Sequence, residues 1–538
     1  MNNVLFLSLP YCNHPGTPGI DDDFQVKSTY RPIPSLALPT LCAFVERHAS
    51  RKYTIQAIDL NLAGYTEPDM PIVESVYSDA LLNAISGTHY DVLAISAPFI
   101  YSHRWLKDAV AYSRKYNPES RIIVGGGFAT IYPDRILSEY GADAVIIGEG
   151  EFAFLQALDD FPNIQGVYRS DRFIDMTETP IPAWDYLEIE QYFEKSGSKM
   201  IPIEASRGCP FSCSYCNTSI SWGSKVRYKT PANLVKEIEW LCARYDTPTL
   251  HFVDDNISFE KAWIVDFLSR LIASTASPAL SFSNFSVKRL DNDILDLLFD
   301  AGTSIIPIAI ESGSERIREE LHKPFYYEKT VSIIEYIKSK GKQVHILWMA
   351  GFPGETLAEL GMTFDLARKL GAHKNQFAIT IPYPGTELYR NAKADGFLLS
   401  DDMDLDAFDN RKGNFFKSDA WTYPELRNMV YDVNIELNFL KNPNLKTVSG
   451  RAFLKRFLKG LVIQLPEHII AHVLLGYLGE EEHFPIALGL LNCNHVMSTF
   501  ERFMSWDVPP IREFKAWIET NAVWDGAWIQ QGKVENFS

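Results

Sequence analysis

Residues 207–217 read RGCPFSCSYCN, which places Cys209, Cys213 and Cys216 in a C-x-x-x-C-x-x-C spacing directly after the apolar run Met200 to Ile203. Thiolate sulfur is a soft ligand that suits iron, and most [4Fe–4S] clusters are held by four cysteine thiolates. Three thiolates on one short loop therefore predict a four-iron cluster with one iron left open. An open metal position can bind a small molecule, as in catalytic metal sites generally.

The three cysteines have two alternative roles that the sequence leaves open. They could be ordinary buried thiols, or a zinc knuckle without its fourth ligand. Structural zinc sites close four ligands around the metal, and no cysteine or histidine lies within twenty residues after Cys216. The spacing and the preceding predicted strand favour the cluster.

The composition is that of a globular protein with several domains. A length of 538 residues suggests about three or four domains, and 46% hydrophobic with 22% charged residues allows a sizeable core. The formal net charge of −17 argues against a duplex nucleic-acid partner, which needs a basic footprint. The cysteines outside the triad are scattered and do not resemble a disulfide framework.

Neither a signal peptide nor a membrane span is predicted. The N-terminal stretch MNNVLFLSLP lacks a basic region followed by a long apolar run and a cleavage site. No run approaches the 18 apolar residues of a membrane-spanning helix. We therefore expect a cytoplasmic protein in a reducing compartment, without a membrane partner.

The chain alternates short apolar runs with amphipathic stretches, first over residues 1–150 and again from residue 200. Such alternation predicts parallel sheets with crossover helices, and ligands lie off the carboxyl ends of parallel strands. The predicted strands of the first region are Val4–Leu9, Tyr53–Leu60, Asp91–Ala97, Arg121–Val124 and Ala144–Ile147. Those of the second are Met200–Ser206, Leu250–Asp254, Leu280–Val287, Ser304–Ile310, His345–Ala350 and Gln376–Ile381.

The predicted architecture has four parts. A doubly wound, Rossmann-like domain covers 1–158, a linker 159–199, a partial (β/α)6 barrel 200–395 and an α-helical domain 396–538. In the last part the predicted helices are Tyr423–Asn438, Gly450–Gln464, Glu467–Leu478, Pro485–Phe503 and Ile511–Thr520. We expect its tryptophans to be core residues, and the pair Cys493 and His495 to be buried filler.

The cysteine spacing resembles that of the radical S-adenosylmethionine (SAM) family. The resemblance implies that the open iron chelates the amino and carboxylate groups of S-adenosyl-L-methionine, and that Tyr215 packs near the adenine. It directs Asp254 or Asp255 to the amino group, and Ser283, Glu311 and Ser312 to the ribose and carboxylate. It also implies an adenine-side loop with Gly351 and Pro353, and a P-x-P-G-T-x-L-Y run that contains Pro384. Each of these strand-end residues could instead be a helix cap or a turn.

The first region resembles the cobalamin-binding domain that precedes many radical SAM barrels. The matching pieces are the segment 31–36, the strand end at Ser96, Val124-Gly125-Gly126 and Gly148-Glu149-Gly150-Glu151. The cobalamin-binding residues that this implies are Pro10, Ser96, Pro98, Gly125, Gly126, Gly127, Glu149 and Gly150. A D-x-H-x-x-G signature is absent, so no histidine is assigned as lower axial ligand. A degenerate domain without the cofactor would keep the same strands, and glycines at strand ends can also be simple turns.

Residues 1–395 together resemble the cobalamin-binding radical SAM enzymes, which implies methylation of an unactivated carbon or a phosphorus atom. One S-adenosylmethionine would give the radical that abstracts a substrate hydrogen, and a second would supply the methyl group through cobalamin. The resemblance further implies a small-molecule or peptide substrate and a flavodoxin- or ferredoxin-type electron donor. Three alternatives stay open: a radical rearrangement, ring contraction or oxidative cyclisation; a non-radical cobalamin methyl transfer; and a non-catalytic Fe–S sensor or scaffold. No catalytic acid or base is assigned.

Overall fold

The computed structural model describes residues 2–10, 33–63, 74–400, 403–408 and 414–437. It contains two α/β units, each built on parallel strands, which confirms the predicted fold class for these two parts. None of the helices in the described ranges has the length and apolar character needed to cross a bilayer.

A six-stranded parallel sheet forms the centre of the first unit, in the order β2-β1-β3-β4-β5-β6. Its strands are β1 Asn2–Ser8, β2 Tyr53–Asp59, β3 Val92–Ser96, β4 Arg121–Gly125, β5 Ala144–Ile146 and β6 Gly166–Tyr168. The last five residues of β1 are all buried, because parallel strands are covered by helices on both faces. The main helices are α1 Ala37–His48, α2 Glu74–Ser86, α3 His103–Tyr116, α4 Gly127–Ile131, α5 Pro133–Arg135 and α6 Gly150–Asp159.

The sixth strand corrects the predicted linker. The sequence predicts only five strands in this sheet and a linker over residues 159–199. β6 pairs in parallel with β5, so the sheet extends past residue 158. A three-residue edge strand carries too little apolar periodicity to be recognised. The rest of this segment includes α7 Ile189–Ser196 and two short 3-10 helices.

The second unit is a partial barrel of six parallel strands, arranged as two three-stranded sheets. The sheets are β11-β10-β7 and β12-β13-β14, and isolated bridges between Leu280 and Thr303 and between Phe285 and Ile308 join them. The strands are β7 Met200–Ile203, β10 Thr249–Phe252, β11 Leu280–Phe282, β12 Ile305–Glu311, β13 Gln343–Ala350 and β14 Lys374–Ile379. Alternate residues of β13 are buried, as expected for one face covered by helices and one lining the interior.

Helices follow the barrel strands, as the alternation of apolar and amphipathic stretches predicts. They include α9 Pro231–Arg244, α10 Lys261–Ala273, α11 Asn292–Asp300, α13 Tyr327–Ser339 and α14 Leu357–Leu370. Three shorter helices were not predicted, α8 Thr218–Trp222, α12 Glu315–Glu320 and α15 Glu387–Ala394. Local capping explains several starts: the Thr356 side chain and Glu359 form a capping box at α14.

The sequence also does not predict a short antiparallel pair of strands, each two residues long. The predicted strand Met200–Ser206 is interrupted, and β8 Ser206–Arg207 pairs antiparallel with β9 Arg227–Tyr228. This hairpin brackets the cysteine loop and fixes both of its ends. In the C-terminal part, α16 Tyr423–Ile435 corresponds to the first predicted helix. The other predicted helices, together with Cys493 and His495, lie outside the described residues.

Candidate active site

The cysteine loop begins at Gly208, directly after β8. Gly208 has φ +91°, and a Cβ atom there would lie 2.4 Å from the Lys225 carbonyl oxygen on the returning arm of the hairpin. Only glycine fits this conformation and this close approach. The backbone at position 208 therefore requires glycine, and this conformation positions the next residue, Cys209.

Backbone contacts from two distant segments hold the loop. The Ser214 N–H donates to the Leu321 carbonyl at 3.3 Å, and the Leu388 N–H donates to the Ser214 carbonyl at 2.8 Å. His322 Nδ1 lies 2.9 Å from the Ser212 carbonyl oxygen. These contacts come from the ends of α12 and the start of α15, so the loop is held by the β12–α13 and β14–α15 connections.

All three cysteines line one cavity at the carboxyl ends of the barrel strands. The three thiols are free and partly buried. Cys209 Sγ lies 3.9 Å from Asn256 Nδ2, and Cys216 Sγ lies 3.1 Å from Thr218 Oγ1. Burial raises the pKa of the Cys209 and Cys213 thiols, so both favour the protonated form until a cation binds, as metal ligands must be deprotonated.

The donor set suits a four-iron cluster. Within the described ranges, no group of three His, Cys, Asp or Glu side chains is close enough together to hold a single metal ion. A [4Fe–4S] cluster takes its cysteines on separate irons, so its thiolates need not converge on one point. Three soft sulfur donors around one cavity fit this group, and Cys209, Cys213 and Cys216 would hold it.

A hydrogen-bonded trio of side chains forms the wall beside the cysteines. The Tyr215 hydroxyl donates to Glu311 Oε1 at 2.7 Å, and Lys323 Nζ donates to the same oxygen at 3.0 Å. Glu311 is 5% exposed and has φ +75°, a strained conformation for a non-glycine residue. Burial and the neighbouring Glu311 carboxylate raise the pKa of Tyr215, so it stays a neutral donor.

Of the predicted S-adenosylmethionine contacts, Tyr215, Asp255 and Glu311 line the cysteine cavity. Asp255 Oδ1 accepts a hydrogen bond from Thr218 Oγ1 at 2.9 Å. The lining also contains polar residues outside the predicted set, among them Asn256, Thr218, Asn284 and Lys323. Lys323 lies more than 100 residues after the cysteines and carries no motif, so local sequence gives no signal for it.

Asp254 does not line this cavity. Its carboxylate accepts hydrogen bonds from the Ala205 N–H at 3.1 Å and from Ser206 Oγ at 2.6 Å, at the turn that leads into the cysteine loop. Burial raises the pKa of Asp254 to about 7. The residue therefore holds the backbone before the loop, and its neighbour Asp255 is the one that faces the cavity.

Several other predicted contacts are also absent from the cavity lining. Ser283 donates to the Phe252 carbonyl at 3.0 Å. Ser312 is fully buried, and its hydroxyl accepts from the Ser314 N–H at 3.1 Å. The Gly351 N–H donates to Glu355 Oε2 at 2.7 Å, which holds the loop after β13. Neither Pro353 nor Pro384 is among the lining residues. These residues shape the loops behind the cavity.

A second cavity lies at the carboxyl ends of the first sheet. It has a volume of about 270 Å³ and opens to solvent on one side. Of the predicted cobalamin contacts, Ser96, Gly125, Gly126 and Gly150 line it, whereas Pro10, Pro98, Gly127 and Glu149 do not. The Pro10 carbonyl accepts from Ser102 Oγ at 3.3 Å. A Cβ atom at Gly127 would lie 2.6 Å from the Pro98 carbonyl oxygen, so these two residues pack against each other.

Glu149 is an ion-pair residue. It is buried, its Oε2 accepts from the Ile174 N–H at 3.0 Å, and its Oε1 pairs with the Arg227 guanidinium. Arg227 belongs to β9 of the second unit. Glu149 therefore connects the two units and is withdrawn from the cavity, a long-range contact that the sequence does not reveal.

The second cavity suits a large macrocyclic cofactor. Gly126 has φ +103°, and a Cβ atom there would lie 2.7 Å from the Ala97 carbonyl oxygen. The edge formed by Gly125, Gly126, Gly148 and Gly150 carries no side chains that would fill the space. Phe6, Leu38 and Phe154 are buried and give the cavity an apolar wall.

Two protein-family models match the parts of the chain that contain the two cavities. The B12 binding domain family matches residues 32–158, and the Radical SAM superfamily matches residues 203–367. The matched ranges contain the glycine edge and the three cysteines respectively. The two domain types imply cobalamin, S-adenosylmethionine and a [4Fe–4S] cluster as cofactors.

Among the curated relatives, cytidylyl-2-hydroxyethylphosphonate methyltransferase of Streptomyces wedmorensis is 25% identical over 462 residues, covering 75% of this chain and 86% of that protein. Two solved structures share the fold. The cobalamin-dependent S-adenosylmethionine radical enzyme OxsB has a TM-score of 0.63 at 14% identity, covering 99% of this chain and 83% of that one. The radical S-adenosylmethionine methyltransferase TsrM of Kitasatospora setae has a TM-score of 0.60 at 14% identity, covering 91% and 99%.

Proposed function

We propose that this chain, which matches the B12 binding domain and Radical SAM superfamily models in turn, methylates an unactivated carbon or a phosphorus atom of a small molecule. An unactivated C–H carbon is not nucleophilic, so a polar methyl transfer to it fails and radical activation is needed. The curated methyltransferase that aligns over most of both chains supports methyl transfer over rearrangement or cyclisation.

The observation that carries the proposal is the adjacency of the two cavities. Glu204 and Arg207 line the glycine-edged cavity, and Cys209 lines the cysteine cavity. A single residue, Gly208, therefore separates Arg207 in the wall of the proposed cobalamin site from Cys209, the first proposed iron ligand. A substrate between the two cavities would be within reach of both cofactors.

When bound, the cluster with S-adenosylmethionine supplies one-electron cleavage of a sulfonium bond, and cobalamin supplies a methyl carrier. The chain's own residues bind and orient. Cys209, Cys213 and Cys216 would hold the irons. Lys323 is placed to pair with the carboxylate of S-adenosylmethionine, and Asp255 with its ammonium, because charge-assisted hydrogen bonds are the strong ones.

The proposed partners follow from this chemistry. Each turnover would consume two molecules of S-adenosylmethionine and two electrons, and yield one S-adenosylhomocysteine, one 5′-deoxyadenosine and one methionine. A flavodoxin- or ferredoxin-type protein would supply the electrons. We propose a reducing, cytoplasmic environment, which the five free cysteines among the described residues suit, and neither a nucleic-acid nor a membrane partner.

The experiment is anaerobic reconstitution with iron, sulfide and cobalamin, followed by reduction with titanium(III) citrate in the presence of trideuteromethyl-labelled S-adenosylmethionine and candidate metabolites. The proposal predicts 5′-deoxyadenosine and S-adenosylhomocysteine in equal amounts, with the label in the product. Deoxyadenosine alone would indicate rearrangement or cyclisation, and S-adenosylhomocysteine alone a polar transfer. Formation of neither would indicate a non-catalytic protein.

A further inference from the structure

A buried network of charged side chains joins the two α/β units beside the glycine-edged cavity. Arg207 Nη1 lies 2.7 Å from Glu151 Oε1, at the start of α6 in the first unit. Arg207 Nε donates to Glu204 Oε2 at 2.8 Å, at the end of β7. The Arg207 side chain is 6% exposed and that of Glu151 is 4% exposed, so this ion pair is shielded from solvent.

Arg207 is the member of this network that touches both halves of the proposed reaction centre. Its side chain lines the glycine-edged cavity, as do Glu151 and Glu204. Its backbone forms β8 and leads through Gly208 into Cys209. The Trp222 ring packs against the guanidinium with 4.8 Å from Cζ to the ring centroid, which closes the remaining side.

A second arginine in the same network has a different position. Arg227 pairs with Glu149, and its Nη1 donates to the Ile174 carbonyl at 3.1 Å. Its Nη2 also donates to the Trp222 carbonyl at 3.2 Å. Arg227 lines neither cavity and does not adjoin the cysteines. It therefore supports the contact between the units without lining either cavity, although it shares the Glu149 carboxylate with Arg207, whose Nη1 lies 3.6 Å from Glu149 Oε1.

At position 207, arginine and lysine differ in how they can bind two carboxylates. A guanidinium presents several donors in a rigid plane and can hold two carboxylates at fixed angles, whereas an ammonium is a point charge on a flexible stem. Between the two units, the Arg207 guanidinium forms an ion pair with Glu151 at 2.7 Å and donates a hydrogen bond to Glu204 at 2.8 Å. Lysine at position 207 would keep the charge and lose this double attachment.

From these contacts we propose that Arg207 is a positioning residue that sets the distance between the cobalamin cavity and the cluster loop, by clamping Glu151 while its own backbone leads into Cys209. The inference rests on the proposed function, because it gives the clamp the task of holding two cofactors in one geometry. Reaction centres are sensitive to such placement: a displacement of about 1 Å can cost on the order of 100-fold in rate.

The test compares Arg207→Lys and Glu151→Gln with Arg227→Lys as the matched control. The readout is the dipolar interaction between cob(II)alamin and the reduced cluster in the loaded full-length protein, measured by pulsed electron paramagnetic resonance (EPR). We expect one narrow distance distribution in the wild type and in Arg227→Lys, and a broadened or shifted distribution in the other two variants. The ratio of 5′-deoxyadenosine to S-adenosylhomocysteine should rise roughly 10-fold or more in those two variants only.

An unchanged distance distribution in both Arg207→Lys and Glu151→Gln would overturn the inference. Loss of iron or cobalamin from both variants would overturn it as well. The network would then be needed for folding, and not for setting the distance between the two cofactor sites. An equal effect of Arg227→Lys would assign the role to the whole interface and would also contradict it. Failure of the proposed function is distinguishable, because it would appear as absent S-adenosylhomocysteine in the wild type while the distance measurement still applies.

Discussion

Arg207 and Cys209 are separated by a single glycine and line two different cavities. The Gly208 backbone between them tolerates no side chain, because the Lys225 carbonyl occupies the space that a Cβ atom would need. The cluster site and the cobalamin site are thus coupled through covalent backbone as well as through the Glu151 ion pair. Several consequences can be measured.

Replacing one iron ligand should separate the two sites. Cys213→Ala removes one of three thiolates, so we expect loss of the cluster with retained cobalamin, because Cys213 lies on the loop and does not line the glycine-edged cavity. Iron and sulfide analysis together with the optical spectrum measures both. Simultaneous loss of cobalamin would show that the sites do not form independently.

A substitution at the glycine edge should have the opposite effect, with cobalamin lost and the cluster retained. Gly126→Ala would place a Cβ atom 2.7 Å from the Ala97 carbonyl oxygen, which should reduce cobalamin binding while the cluster still assembles. Gly141→Ala is the matched control, since Gly141 also has a positive φ, +77°, but open space around it. Equal cobalamin content in the two variants would argue against the glycine-edged cavity as the cobalamin site.

Gly208 should be needed for the cluster loop. Gly208→Ala combines a positive φ with a 2.4 Å approach to backbone, whereas Gly341→Ala has φ +67° and no neighbour within 4 Å. The control should lose about 1 kcal/mol of stability from strain alone. We expect Gly208→Ala to lose most of its iron after anaerobic reconstitution, and normal iron content in this variant would contradict the role given to the glycine.

Lys323 should contribute to binding of S-adenosylmethionine. Lys323→Met removes the only cation that contacts Glu311 among the described residues, and the loss of a charged hydrogen bond predicts roughly 10- to 100-fold weaker binding. Equilibrium dialysis with the cluster-loaded, unreduced protein measures the affinity. Lys340→Met, which removes an exposed lysine paired with Asp296, should bind like the wild type.

Glu355 should make stability depend on pH. It is fully buried, its Oε2 accepts from the Gly351 and Phe352 N–H groups, and its Oε1 has no hydrogen-bond partner. Burial raises its pKa to about 7 from an ordinary value of 4.5. Between these two values the folded protein keeps a proton that the unfolded chain releases, so this group's contribution to stability falls as pH rises.

The matched variant is Glu355→Gln, which cannot titrate. Its stability relative to the wild type should rise between pH 5 and pH 8, by up to about 3 kcal/mol. Urea denaturation across this range measures the difference. A difference that does not change with pH would show that Glu355 is not protonated in the folded state.

The sequence predicts the two α/β units because both rest on local signals. Apolar runs of strand length alternate with amphipathic segments, and the cysteine spacing marks the loop at the first barrel strand. The short elements β6, β8 and β9 were missed since two or three residues carry no period. The part of the chain after residue 437 lies outside the described residues.

The site residues show where such reasoning stops. Asp254 and Asp255 are adjacent acids at one strand end, and only the fold shows that the first holds the turn at Ser206 and the second faces the cavity. The sequence predicts that Glu149 contacts cobalamin, yet its carboxylate forms an ion pair with Arg227, which is 78 residues away in the chain. Lys323 likewise meets the cysteine cavity only through tertiary contact.

The most direct test of the central claim is the EPR spectrum of the oxygen-protected, cobalamin-loaded and reduced protein before and after addition of S-adenosylmethionine. We expect a [4Fe–4S]⁺ signal that changes when the amino and carboxylate groups of S-adenosylmethionine occupy the open iron, in a preparation that also contains cobalamin. A protein that holds zinc in place of iron, or a cluster signal that S-adenosylmethionine leaves unchanged, would contradict the account.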